Sequence, residues 1–108
     1  MPISGGASLD RFDNKTTIDA NVIDAATDPV SSGSLNSVAM YTVANTGTST
    51  AHVVTLQVSP NGVDWFDTPF SITGISWVEG EVVGSELRGK VTTVEGAASN
   101  VDVYIIST

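Results

Sequence analysis

The feature that most constrains this fold is a series of short segments in which apolar and polar residues alternate. Each segment ends at residues that favour a turn. These interruptions recur about every 8–12 residues, too often for a helical pattern of ten residues to develop. The apolar period is two, and 35 of the 108 residues are Val, Ile or Thr, which favour strands. The sequence therefore predicts an all-β protein, an antiparallel β-sandwich or small jelly roll of about seven to eight strands.

Two segments are expected in this chain of 11.2 kDa: an extended N-terminal arm over residues 1–15 and a single β-sandwich domain over residues 16–108. The arm is rich in Gly and Ser and has no hydrophobic face of its own, so we expect another chain to hold it. Its apolar anchors are Ile3, Leu9 and Phe12, which are candidate contact residues. The alternative is that Leu9 and Phe12 fold the arm back onto its own domain.

Alternation also predicts which residues form the core. The core is expected to contain Ile18, Ala20 and Val22; His52, Val54, Leu56 and Val58; Leu87, Gly89 and Val91; and Val101, Val103 and Ile105. Residues 36–45 and 51–59 are predicted to pair as one hairpin, and residues 87–94 and 99–107 as another.

The clearest local signal is a turn after residue 59. Pro60 fits position i+1 of a type I turn, Asn61 fits position i+2, and Gly62 fits the left-handed residue of a short hairpin loop. Trp65 follows where the next strand re-enters the sandwich. Pro69 predicts that this strand lies at an edge or contains a bulge.

Charge is unevenly distributed. The net charge is −8, which argues against a nucleic acid or an anionic membrane as partner. Residues 29–63 contain no Asp, Glu, Lys or Arg at all. Because interface cores are depleted of charge, one interpretation is that this segment contacts another protein through Met40, Thr42 and Thr55. The other interpretation is that the segment faces water, with its Ser, Thr, Asn and Gln side chains providing the polar surface.

The residues for catalysis are sparse. His52 is the single histidine and cysteine is absent, so a Ser-His-Asp or Cys-His arrangement is not expected. Asp64 and Asp67 lack the alternate-position spacing of a calcium loop and are interpreted as turn carboxylates. We expect no enzymatic activity, no cofactor and no metal. An enzyme would need a pocket of carboxylates around His52.

The aromatic residues allow two interpretations. Trp65, Trp77, Tyr41 and Tyr104 would make a sugar-stacking platform if their rings are exposed. The alternative, which we favour, is that the two Trp close the core, most of all Trp65.

Residues 55–65 form a strand, a Ser-Pro-Asn-Gly turn and a Trp, and this pattern resembles small β-sandwich proteins of tailed bacteriophage virions. In that family the pattern is followed by a strand such as residues 87–91 (LRGKV) and a closing strand such as residues 101–105 (VDVYI). The resemblance covers about residues 38–107.

The resemblance implies a structural virion protein without an active site, namely a head decoration or cement protein on the outer capsid surface, made in the bacterial host cytoplasm. Its implied partners are the major capsid protein and copies of itself, with a trimer favoured. A tail, collar or fibre component and a carbohydrate-binding β-sandwich module are the alternatives.

Overall fold

The computed structural model describes residues 15–108, which form two four-stranded antiparallel sheets. The strands are β1 (Lys15–Asp19), β2 (Val30–Ser31), β3 (Ser37–Gly47), β4 (Val53–Ser59), β5 (Phe66–Thr73), β6 (Trp77–Glu81), β7 (Glu86–Thr93) and β8 (Ser99–Ser107). The first sheet has the order β1-β8-β3-β6 and the second the order β2-β7-β4-β5. The all-β sandwich prediction is confirmed. These 94 residues include no helix, and therefore none that could cross a bilayer.

The core lies between the two sheets and is built from the faces that alternation indicated. The first sheet contributes Ile18, Val38, Met40, Val101, Val103 and Ile105, and the second contributes Val54, Leu56, Ile72, Leu87 and Val91. Ala20 is also buried, but the chain turns after β1, so Val22 is exposed and its assignment to the core is wrong.

Both predicted pairings across the 36–59 and 87–107 segments are wrong. β3 pairs with β6 and β8 in the first sheet, whereas β4 pairs with β5 and β7 in the second. β7 and β8 likewise belong to different sheets. A short polar linker can either reverse a strand within one sheet or carry the chain across to the facing sheet. Because both outcomes place the apolar faces in the same core, alternation cannot distinguish them.

The β4–β5 hairpin forms as the local turn signal indicates. Gly62 has a φ of +79°, the left-handed conformation that favours glycine. The Ser59 hydroxyl accepts the Gly62 N–H at 2.7 Å, and Asn61 Oδ1 accepts the N–H groups of Val63 and Asp64 at 2.9 Å each. β5 is an edge strand, and its pairing with β4 is irregular around Pro69. Both features agree with the expectation from Pro69 that this strand lies at an edge or contains a bulge.

Candidate binding surfaces

The outer face of the first sheet carries a row of aromatic side chains, which we call the aromatic row: Trp77 on β6, Tyr41 on β3 and Tyr104 on β8. Strand register places them side by side, since Tyr41 is opposite both Trp77 and Tyr104. The Tyr41 and Trp77 ring centroids are 5.9 Å apart and the ring planes differ by 20°. Trp77 is 54% exposed, so the interpretation that it closes the core is wrong. Lys15 on β1 lies opposite Tyr104 at the end of the row.

A shallow hollow of about 310 Å³ adjoins the aromatic row. Ala39 and Ile106 lie two residues along from Tyr41 and Tyr104 on the same face, and they line the hollow with their side chains half-buried. The rest of the lining comprises the polar residues Ser37, Glu79, Glu81 and Thr108 together with Val38 and Gly80. The outer face therefore combines flat aromatic surface with a cluster of hydrogen-bond acceptors.

One end of the sandwich carries the most exposed aliphatic residues. Among residues 15–108, the most exposed large apolar side chains are Val83 (80%), Val63 (77%) and Leu35 (70%). They belong to the β6–β7, β4–β5 and β2–β3 connections, which all lie where β8 and the chain end. We call this region the loop end.

Main-chain hydrogen bonds hold these connections together. Ser32 N–H donates to Ser85 O at 3.1 Å, Ser85 N–H to Ser59 O at 2.8 Å, and Val82 N–H to Asn36 O at 2.9 Å. A Cβ at Gly84 would lie 2.2 Å from a Val58 methyl carbon, so the β6–β7 loop lies directly against β4. The connections that carry the exposed Leu35, Val63 and Val83 are therefore well ordered by hydrogen bonds and packing.

The outer face of the second sheet is different because its polar side chains satisfy one another. Arg88 Nε donates to Gln57 Oε1 at 2.8 Å, and Gln57 Nε2 donates to Asp67 Oδ1 at 2.7 Å. The Trp65 ring is half-buried and has the Arg88 guanidinium carbon 4.3 Å from its centroid, a cation–π contact. Trp65 therefore covers this polar chain and does not belong to the core cluster, which corrects the sequence interpretation.

The opposite end of the sandwich, which we call the pinned end, contains His52 and Glu95. The Glu95 side chain is 3% exposed and that of His52 is fully buried. Glu95 Oε1 accepts His52 Nδ1 at 2.9 Å, and the carboxylate also accepts the N–H groups of Thr50, Ala51 and His52 at 3.0–3.2 Å. The carboxylate thereby fixes the β3–β4 crossing to the β7–β8 crossing.

These contacts change the acidity of Glu95. Burial alone raises its pKa, but the His52 hydrogen bond and the three main-chain N–H groups outweigh burial and lower the pKa to about 2. His52 Nε2 is buried without a hydrogen-bond partner among the described residues, so the ring faces protein on all sides. No group of three or more His, Asp or Glu side chains positioned to hold a metal ion occurs within residues 15–108.

The structure places the three contact residues predicted within the uncharged segment in different environments. Met40 is fully buried in the core, and Thr42 is 2% exposed with its hydroxyl directed at Gly74 O, 2.7 Å away. Neither can contact a second protein, because alternation turns both residues of β3 inward. Thr55 lies on the outer face of the second sheet, nearly buried and bonded to Thr92 at 2.9 Å. Ile3, Leu9 and Phe12 lie outside the described residues.

Both candidate surfaces escaped sequence reasoning in part. Trp77, Tyr41 and Tyr104 lie far apart in the sequence, and only strand register aligns them in one row. Leu35, Val63 and Val83 are isolated apolar residues within turn segments, and that isolation is the one signal that could have revealed them.

Comparison of this chain with protein-family models, with curated proteins and with solved structures finds no match.

Proposed function

We propose that this chain is a non-enzymatic structural protein of a tailed-phage virion, a head decoration protein that binds the outer capsid surface through its loop end. The observation that carries the proposal is the grouping of Leu35, Val63 and Val83 at one end of the sandwich. Uncovered aliphatic side chains on a soluble sandwich favour a protein contact when they are grouped and firmly supported.

The position at which β1 begins also supports the loop end as the contact surface. β1 begins at Lys15 opposite Tyr104, and β8 runs from there toward the loop end. The first described residue, Lys15, therefore starts β1 on the side on which the three aliphatic residues lie. An arm that contains Ile3, Leu9 and Phe12 would extend the same contact surface, with main-chain bonding to a neighbouring sheet edge.

The charge distribution at the loop end favours binding to a different protein over binding to a second copy of this chain. The three loop connections, residues 32–36, 60–65 and 82–85, contain Asp64 as their single charged residue, and residues 16–87 contain no Lys or Arg. Two loop ends would bring only like charge together, whereas a capsid surface with basic residues around an apolar patch would complement this end.

The proposed role needs no active site. A protein that binds only the assembled shell stabilises that shell by mass action. Assembly as a trimer would multiply weak single contacts. The mass in solution tests the oligomer: native mass spectrometry should give three times the chain mass of 11.2 kDa.

Cosedimentation with expanded capsids, purified from the phage that encodes the chain, tests the docking surface. Leu35→Ser, Val63→Ser and Val83→Ser combined should abolish binding while the circular dichroism spectrum and unfolding midpoint stay close to those of the parent. The matched control is Val22→Ser with Ile23→Ser, which removes apolar residues of 49% and 55% exposure at the other end. The control should bind like the parent. Normal binding by the triple variant would contradict docking through the loop end.

A further inference from the structure

We propose that the outer face of the first sheet is a binding site for neutral polysaccharides, with the aromatic row as the platform and the adjoining hollow as a hydroxyl-binding subsite. The aromatic row lies on the outer face of the first sheet, and the hollow reaches the margin of that face next to the loop end. The proposal rests on the rings and the hollow and does not depend on capsid binding.

The first argument is the geometry of the rings. Trp77, Tyr41 and Tyr104 stand on three neighbouring strands in direct register, and neighbouring strands are about 4.8 Å apart. The Tyr41 and Trp77 rings stack on one another, so each covers part of one face of the other. Trp77 remains 54% exposed, while Tyr41 and Tyr104 are half-buried. Aromatic faces pack favourably on the polarised C–H groups of pyranose rings. A sugar chain that crosses the strands would meet one ring per strand.

The hollow supplies the second argument. Its volume of about 310 Å³ lies at the small end of ligand sites, which span about 300–1,000 Å³. The apolar side chains of Ala39 and Ile106 lie beside the carboxylates of Glu79 and Glu81. Carboxylates accept hydrogen bonds from sugar hydroxyl groups, and the adjacent apolar surface suits the C–H face of the same ring.

Charge selects the ligand class. Glu79 and Asp102 flank the aromatic row, Glu81 lines the hollow, and Lys15 is the one cation in register with the row. This excess of negative charge repels uronate or sulfated polymers. Neutral hexose or N-acetylhexosamine polymers carry no such penalty, so they are the ligands that this face fits.

The pattern of hydrogen bonds distinguishes this face from the other sheet. On the second sheet Trp65 is covered by Arg88 and the amide of Gln57 is bonded on both sides, so the polar groups there are already occupied. On the first sheet no side-chain hydrogen bond from Tyr41, Trp77, Glu79, Glu81 or Tyr104 forms to another described residue. Within residues 15–108, those groups therefore have no side-chain partner that competes with a ligand.

A pull-down on insoluble cellulose and chitin, with soluble alginate as the anionic comparison, tests the proposal. The parent should bind at least one of the two neutral polymers and should not bind alginate. Trp77→Ala should weaken that binding about tenfold or more, and Tyr41→Ala should weaken it as well. Phe66→Ala is the matched control, because Phe66 is an aromatic residue of 59% exposure on the second sheet, and it should bind like the parent.

Fluorescence provides an independent readout at the site. Trp65→Phe leaves Trp77 as the only indole, so adding cello- or chito-oligosaccharides should shift its emission in a saturable manner. A parent that binds neither polymer, or a Trp77→Ala protein that is folded and binds as tightly as the parent, would overturn the proposal. It would also fail if Trp77→Ala instead disrupted trimer formation or capsid binding, since the face would then be a protein contact.

Discussion

The two ends of the sandwich differ in the buried polar groups that hold them and in how far their apolar side chains are exposed. At the pinned end, two side chains hold the connections: Glu95 accepts the N–H groups of residues 50–52, and the Thr42 hydroxyl bonds both Gly74 O and Ser76 N–H. At the loop end, main-chain bonds and the polar side chains of Ser59 and Asn61 hold the connections. The apolar side chains of Leu35, Val63 and Val83 extend into solvent there. The difference indicates that one end serves stability and leaves the other available for contacts.

The largest effect on stability is expected from Glu95→Ala. This change removes the acceptor of the buried His52 ring and of three main-chain N–H groups, which no other side chain in the described region can replace. The midpoint of thermal unfolding should fall further than for any other variant considered below. Glu81→Ala removes an exposed carboxylate from the other end and serves as control, with little change expected. Equal midpoints for the two variants would show that the pinned end contributes nothing.

Acid should act on the same contact. The pKa of Glu95 is about 2 in the folded protein against an ordinary value of 4.5, so ionised Glu95 favours folding. That contribution is complete above about pH 4.5 and is lost as the pH falls through about 2. Urea unfolding of the parent and of Glu95→Gln should therefore give a stability difference that narrows across this window. A difference independent of pH from 6 to about 2 would contradict the assignment.

A smaller effect is expected for Thr42→Val. The substitution keeps the shape of the side chain but leaves Gly74 O and Ser76 N–H without the hydroxyl, at a cost of about 1–3 kcal/mol in the free energy of unfolding. Thr17→Val removes a surface hydroxyl that donates to Asp102 at 2.6 Å and should change stability by less than about 0.5 kcal/mol. Urea denaturation measures both. A loss no greater for Thr42→Val than for its control would mean that the β5–β6 turn does not depend on this bond.

The smallest effect belongs to the loop end. Val83→Ser replaces a side chain that is 80% exposed, so the free energy of unfolding should stay within about 0.5 kcal/mol of the parent. Chemical denaturation at neutral pH checks this value. A substantial loss of stability would show that Val83 packs against residues of the chain and is not free for a partner.

Much of the fold was accessible from alternation alone, and its failures have a common physical cause. Period-two patterning identified Val54, Leu56, Val101 and Val103 as core because each strand has one buried face. It could not pair β3 or β7 with the correct neighbours, since a linker between two amphipathic strands has the same composition whether it turns or crosses.

The candidate surfaces were less accessible for related reasons. The absence of charge in residues 29–63 does not mark one surface, because its strands divide between the core and both outer faces. Met40 and Tyr41 are neighbours in sequence, yet one is fully buried and the other helps form the aromatic row. Which of them meets solvent depends on strand direction, and which rings align depends on register across three strands.

Hydrogen–deuterium exchange of the chain, free and bound to capsids, tests the central claim most directly. The account predicts that binding slows amide exchange in residues 32–36, 60–65 and 82–85 and leaves residues 20–24 and 94–98 unchanged. Slower exchange confined to residues 20–24 and 94–98, with the loop end unaffected, would contradict it.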